Sequence, residues 1–439
     1  MVRGTLERVF ASEKLEQVFT ANALLHYTRE LTFAHCVGLM SDVVFRIVPS
    51  GGAWDKAPQE GSPVRRQAGY ANLTPLELPP AAGLVAYAGR EVGACLRQLP
   101  SPPPPLLPGY RGRVLEGNPL AGTEHRGKAL RRYRAAALPG QARVFYDPQW
   151  AGATDVIAGE DAYAQERTLL PEGVPKVTKG DGIVAERNFC TTGFLFGLAR
   201  QGAFFVMRQH GANVVGHGHG PRRGGGHAAR GQALYEQAGC LTESETGAPL
   251  VVRRLRVQLL TPTRHGETEI HILTNLPVPA GPAPRTSALS ADRWSSETAF
   301  QHLTVDLACA VDTLGYPKAA RFGFCVALVA YNVVALVKGA LRAAPGAADV
   351  EAELWLYSLT LEGAQVAPGM ESALGAEAWE IFRPRSGAEF TTPLVAIAQR
   401  LDTKTSTKHK RSPKKPPPAK LSGKQQPHVS TARILAMPG

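Results

Sequence analysis

Hydrophobic residues follow a helical period over the first hundred positions and mostly a strand period after them. In residues 5–100, apolar side chains recur at helical spacing, which predicts a mostly helical N-terminal region. The proline-rich residues 100–109 then predict a stiff linker between two domains. Beyond this linker, short apolar runs alternate with turn residues and helical segments. This order of elements favours an α/β fold.

The α/β region predicts a definite series of elements. The predicted strands are residues 113–115, 142–146, 154–158, 183–185, 203–207, 250–260 and 268–274. The predicted helices are residues 162–170, ended by Pro171, and residues 191–200, 295–314 and 317–343. The last helix contains the longest apolar run, residues 322–337, which Asn332 interrupts. We therefore expect a buried helix and no membrane span.

Residues 211–231, between two of the predicted strands, are rich in glycine and basic side chains. His217, His219 and His227 lie in this segment and could bind a metal ion. No cysteine or carboxylate accompanies them, so the composition favours a mobile loop.

The charge of the chain indicates an anionic partner. The 439 residues carry a formal net charge of +12, and 44% of them are hydrophobic, enough for a sizeable core. Residues 403–424 contain eight Lys or Arg and no acid, which leaves a formal +4 for the rest. This tail predicts either a solvated flexible segment or an arm along DNA phosphates. Six cysteines without a CxxC pair and no apolar leader indicate a cytoplasmic protein.

Three acids stand at positions where chemistry is expected. Glu116 and Glu186 end predicted strands, and Glu297 lies on the helix predicted after the glycine-rich segment and its two strands. Carboxylates at the C-terminal ends of strands point into the crevice where sites form in α/β sheets. Three that converge could hold two divalent ions roughly 3.5–4 Å apart, and oxygen ligands suit Mg²⁺ or Mn²⁺. No P-loop, HExxH or GxSxG motif occurs.

Several sequence blocks surround these acids in order. They are residues 107–118 and 122–126, then 185–190 and 204–210, then 293–300 and 313–318, and finally 427–433. Together they resemble the DDE-type transposases of bacterial insertion sequences, in the hairpin-forming group with a Tyr-Arg-Glu-Lys signature. The resemblance covers nearly the whole chain.

The resemblance implies a ribonuclease-H-like catalytic core with a β-rich insertion, preceded by a mostly helical domain that binds transposon ends. It implies a bacterial, nucleoid-associated homodimer that cuts and rejoins double-stranded DNA with Mg²⁺ or Mn²⁺. Glu116, Glu186 and Glu297 would be the catalytic metal ligands, and Arg187, Asn188, Arg293 and Trp294 would contact DNA. The domains expected are 1–100 (DNA ends), 101–210 (first part of the core), 211–290 (insertion), 291–345 (last core helices), 346–402 (helical) and 403–439 (basic flexible tail).

The sequence departs from the family pattern at the chemistry. Glu116 and Glu186 stand where the family has aspartates, and Ser290 and Thr304 replace its Tyr and Lys. The added methylene displaces each carboxylate by roughly 1 Å, and misplacement of that size costs on the order of 100-fold in rate. Three hypotheses remain open: an active transposase, a catalytically impaired DNA-binding derivative, and a general basic nucleic-acid binder.

Overall fold

A computed structural model describes residues 1–24, 32–45, 77–100, 102, 104–120, 139–209, 217–228, 231–243, 245–263, 266–292, 316–344, 377–380, 382, 386–401 and 430–431. Nine strands in this part of the chain form one mixed sheet. They are β1 (Arg111–Pro119), β2 (Gln141–Asp147), β3 (Gly152–Gly159), β4 (Asp181–Ala185), β5 (Phe204–Arg208), β6 (His217–His227), β7 (Ala233–Thr242), β8 (Pro249–Gln258) and β9 (Glu269–Thr274).

The helices of the described residues flank this sheet. They are α1 (Val2–Val9), α2 (Ser12–Asn22), α3 (Phe33–Val44), α4 (Leu78–Arg97), α5 (Thr192–Arg200), α6 (Ala283–Asp292), α7 (Pro317–Ala343), α8 (Glu377–Glu380) and α9 (Gly387–Ala398). A 3-10 helix covers Glu166–Lys176, and a shorter one covers Arg187–Phe189.

The strand order is β3-β2-β1-β4-β5-β9-β8-β7-β6. Strands β1, β4 and β5 run parallel, whereas β2 and β3 on one side and β9 to β6 on the other pair antiparallel. The α/β prediction is therefore confirmed as a mixed sheet with helices. The domain boundaries expected from the sequence stay predictions.

Different helices cover the two faces of the sheet. On the first face, α4 and α7 pack on β2 and β3, and α6 packs on β4 and β5. On the second face, α5 and the longer 3-10 helix pack on β1, β2, β4 and β5. Strand β1 illustrates the alternation, because Val114 joins the first face and Leu115 the second. The N-terminal helices α1 to α3 extend the core of the first face.

Helix α7 is the apolar helix expected from the sequence. Its 27 residues are long and apolar enough to cross a membrane, with a mean hydropathy of 2.0 in the most apolar window. That window is 94% buried inside the protein, as in the core helix of a soluble fold. The prediction of a buried helix is confirmed.

The hydrogen bonds of Asn332 explain why this apolar helix contains one buried amide side chain. Its Oδ1 accepts a hydrogen bond from the Ala153 backbone N–H at 2.8 Å, and its Nδ2 donates to the Ala153 carbonyl at 2.8 Å. Ala153 lies in β3, the strand at one edge of the sheet. Among the described residues no strand pairs with the outer side of β3, and the amide takes the place of such a strand at Ala153 and blocks the edge there.

Two predicted elements were wrong. Residues 162–170 do not form a helix stopped by Pro171; the 3-10 helix Glu166–Lys176 contains both Pro171 and Pro175. A 3-10 helix of this length is a series of short turns, and proline can occupy the first central position of a turn, where its missing N–H is not needed. In addition, most of residues 211–231 are not a loop, since His217–His227 forms β6, paired with β7. Hydrogen bonds to β7 order this segment, although its glycine-rich composition predicted a loop.

A cluster of buried charges lies where the parallel strands begin. The Arg113 side chain is fully buried; it pairs with Asp155 at 3.3 Å and with Asp181 at 3.5 Å, and it donates to the Lys176 carbonyl at 2.8 Å. Its guanidinium carbon lies 4.4 Å from the Phe145 ring centroid. Burial lowers the pKa of Arg113, and the Asp181 charge opposes this shift. The cluster fixes the start of β1 against β4 on the second face.

Some sequence predictions fall outside the described residues. These are the helix expected at 295–314 and the basic tail from 403 to 424. Near the end of the expected tail, Ser430 and Thr431 are described, and both are buried. These two residues therefore pack against the rest of the protein.

Candidate functional site

Two of the three predicted acids stand side by side on neighbouring parallel strands, just past the last residue pair that joins these strands. Strands β1 and β4 are parallel, and their last register pair joins Leu115 to Ala185. Glu116 is the next residue of β1, and Glu186 is the next residue after β4. Neighbouring strands lie about 4.8 Å apart, so the two backbones are close at this level. The prediction that Glu186 directly follows a strand is confirmed. The prediction that Glu116 ends its strand was wrong, because β1 continues to Pro119 through its pairing with β2.

The two carboxylates also share a face of the sheet. Val114 and Val184, two residues earlier on each strand, belong to one apolar cluster on the first face. Side chains alternate along extended backbone, and Glu186 keeps an extended conformation at φ −78° and ψ 173°. Alternation therefore places Glu116 and Glu186 on the first face, between the cores under α6 and α7.

The surroundings of the two acids differ. Glu116 is only 6% exposed and lies beside Val144 of β2. Carboxylates that lose water in this way are paired with a donor or bind a cation. Glu186 is half-buried, and its Oε1 accepts a hydrogen bond of 3.1 Å from Nδ2 of Asn188, which is exposed. The pair thus combines one enclosed carboxylate with one that reaches solvent.

Arg187 and Asn188, the predicted DNA contacts after β4, border the acids. The Arg187 side chain is 40% exposed, and its Nη1 lies 3.4 Å from Oε1 of Glu267 in the β8–β9 turn. Asn188 is exposed at the end of β4. Both residues directly follow Glu186 in the chain, and their role as DNA contacts stays a prediction.

Sequence reasoning did not select Arg208 as a site residue. It ends β5, the parallel neighbour of β4, and it shares Glu267 with Arg187. The hydrogen bond from Arg208 is the main cause that lowers the pKa of Glu267, so this carboxylate stays ionised between two guanidinium groups. The signal that could have found Arg208 is its place at the C-terminal end of a parallel strand.

The third acid cannot be placed beside this pair. Glu297, Arg293 and Trp294 lie outside the described residues. Helices α6 and α7, which precede and follow residues 293–315, both pack on the first face, where Glu116 and Glu186 lie. Within the described ranges, no group of three His, Cys, Asp or Glu side chains could hold a metal ion.

Comparisons with known proteins give few relatives. No protein-family model matches the chain, and no curated protein matches it. Among solved structures, the chain is similar to a piggyBac transposase in a synaptic complex with hairpin DNA. That similarity has a TM-score of 0.38 and 8% sequence identity, and it covers 87% of this chain and 85% of the other. It is too weak to assign a fold family or a function to this chain.

Proposed function

We propose that this chain is a transposase-like DNA-binding protein of the bacterial insertion-sequence type, with a ribonuclease-H-like core. It would bind the ends of its own element as a homodimer in the bacterial cytoplasm. The placement of Glu116 and Glu186 at one level of two adjacent parallel strands carries the proposal. The antiparallel strands β3-β2-β1 continued by parallel β4 and β5 support the proposed core.

The proposed site has three acids. Glu297 would be the third, because in the sequence it follows α6 and precedes α7, and both helices pack on the same face as Glu116 and Glu186. Arg187, Asn188 and Arg293 would hold DNA phosphates, and Trp294 would stack on a base. The half-buried Glu186 and exposed Asn188 leave a path from solvent to the acids.

The residues present fit a hard divalent cation. Glu116 and Glu186 offer only oxygen donors, which suit Mg²⁺ or Mn²⁺ more than softer metals. Burial of Glu116 removes water that would compete for its charge. When bound, such ions supply Lewis-acid stabilisation at a phosphodiester. The role of this chain would be to hold the two carboxylates next to each other on adjacent strands. Arg187 and Arg208 would orient the DNA strand.

Metal binding gives the first test. Purified full-length protein is titrated with Mn²⁺, and the free ion is followed by electron paramagnetic resonance. Glu116→Gln and Glu186→Gln should each weaken binding of Mn²⁺ at least tenfold, whereas Glu245→Gln, an exposed acid, should not. Wild-type affinity in both site variants would remove Glu116 and Glu186 from the proposed site.

DNA binding and cleavage give the second test. Fragments that span the two flanks of the gene are incubated with the protein in Mg²⁺, in Mn²⁺ and in a chelator. Specific retention of these fragments over unrelated DNA supports end binding. Equal retention of unrelated DNA, with steep salt dependence, would instead indicate a general basic binder.

The glutamates at 116 and 186 favour a second candidate function, a DNA-binding protein with impaired chemistry. A longer side chain at two neighbouring ligands displaces both carboxylates by roughly 1 Å, which costs on the order of 100-fold. Glu116→Asp and Glu186→Asp, combined with Ser290→Tyr and Thr304→Lys, should then restore cutting. A restored variant that binds the gene flanks but never cuts them would contradict this explanation.

A further inference from the structure

A row of side chains crosses three strands on the second face of the sheet, beyond the part that α5 covers. Tyr235 of β7 pairs in register with Arg256 of β8, and Arg256 pairs with His271 of β9. Register partners point to the same face, so the three side chains are neighbours. The Arg256 guanidinium carbon lies 5.9 Å from the Tyr235 ring centroid, within cation–π range.

Tyr235 is 40% exposed, and its register partner on β6 is Gly224. No heavy atom of the described residues lies within 4 Å of the position that a Gly224 Cβ would take. The backbone of Gly224 has no positive φ, so its conformation does not require glycine. The exposed Tyr235 ring therefore stands next to an edge strand whose facing residue has no side chain to cover it.

The next row adds positive charge beside this ring. Arg254 lies on the same face as Arg256, and its Nε donates to Oε1 of Gln209 at 2.8 Å. Glu269 contacts Arg256 at 2.6 Å and His271 at 2.9 Å. We name the surface formed by Tyr235, Arg254, Arg256 and His271 the tyrosine–arginine face.

A third arginine on β8 has a different task. Arg253 points to the first face, where it pairs with Glu236 at 2.8 Å and donates to the carbonyls of Leu276 and Gly281 at 3.0 and 2.6 Å. These bonds tie β8 to the chain that leads into α6. The role of Arg253 is therefore structural. Arg254 and Arg256, in contrast, lie on the second face of the sheet, which carries the exposed Tyr235 ring.

We propose that the tyrosine–arginine face binds single-stranded DNA, with one base stacked on Tyr235 and phosphates held by Arg254 and Arg256. An exposed ring offers a π-face to an unstacked base, and stacking of this kind is tolerant of sequence. The bases of a duplex stay stacked on one another. A duplex could therefore contact the arginines through its phosphates but would not stack a base on the Tyr235 ring. The proposal goes beyond the proposed function and is independent of metal at Glu116 and Glu186.

The test uses the full chain in a chelator, which removes metal chemistry from the measurement. Fluorescence anisotropy follows binding of a labelled oligothymidine and of a duplex of equal length. Tyr235→Ala should weaken oligothymidine binding about 5- to 150-fold, the range for loss of one stacked base. Tyr235→Phe should retain most of the affinity. Arg200→Ala, which removes another exposed arginine paired with a glutamate, should leave it unchanged.

A steric variant supplies an independent check. Gly224→Leu adds a side chain beside the exposed Tyr235 ring without changing any charge, and it should weaken oligothymidine binding at least fivefold. Neither variant should alter duplex binding more than about twofold. Unchanged oligothymidine binding in both Tyr235→Ala and Gly224→Leu would overturn the proposal. An equal loss for duplex and single strand would also overturn it, because stacking would then not distinguish the two.

Discussion

Replacing Asn332 by leucine should destabilise the protein strongly, although leucine has a similar volume and suits an apolar helix. The change removes both hydrogen bonds to Ala153 and leaves a buried backbone N–H and a buried C=O without their partner. Each buried group that loses its partner costs about 1–3 kcal/mol. The free energy of unfolding should therefore fall by about 2–6 kcal/mol, a large share of the total for a typical domain.

Urea unfolding followed by circular dichroism measures this loss. Thr392→Val serves as the control, since it deletes one exposed hydrogen bond within α9 and should cost less than about 0.5 kcal/mol. Because a chain of this size unfolds in several steps, hydrogen exchange at the Ala153 amide gives a local measurement. In the Asn332→Leu variant this amide should exchange much faster. A loss below about 1 kcal/mol with unchanged exchange at Ala153 would refute the edge-blocking role.

Other substitutions test the packing of the same sheet. Gly89→Ala should destabilise by up to about 2 kcal/mol, because the new Cβ would lie 2.8 Å from the Ala153 carbonyl oxygen and overpacking outweighs the gain in helix propensity. Gly38→Ala, with open space around the Cβ, should instead stabilise by about 0.5–1 kcal/mol, and thermal unfolding of the pair compares the two signs. Arg113→Met should cost about 3–5 kcal/mol, because it leaves Asp181 buried with less positive charge; a thermal midpoint equal to wild type would contradict this.

Alternation of apolar residues predicted the strands well where side chains carry the pattern. Residues 250–260 were expected as a strand, and β8 covers Pro249–Gln258. The same principle failed for β6, because glycine and histidine have no apolar alternation to detect. Its order comes from hydrogen bonds to β7, a tertiary effect that no local pattern contains. Pro171 led to a different error: the predicted helix was ended at this residue, whereas the 3-10 helix continues through it.

The candidate site, like the fold, could be predicted from the sequence only in part. The end of β4 could be located from the sequence, whereas β1 continues to Pro119, past the predicted end at residue 115. Glu116 and Glu186 nevertheless lie at the same level, because they directly follow the last register pair of β1 and β4. The tyrosine–arginine face was not foreseen, because Gly224, Tyr235 and Arg256 become neighbours only through pairing of three strands. Sequence periodicity describes one strand at a time and does not contain that register.

The junction between β5 and β9 has a consequence for any attempt to shorten the protein. Backbone hydrogen bonds run without a break from the acid-bearing strands into β9, β8, β7 and β6, and Ile272 and Leu255 bury apolar surface together with Val206. Excision of residues 217–274 would expose the open flank of β5 and strip cover from that cluster. The segment therefore supports the part of the sheet that carries Glu116 and Glu186, and a truncated protein should aggregate instead of folding as a smaller domain.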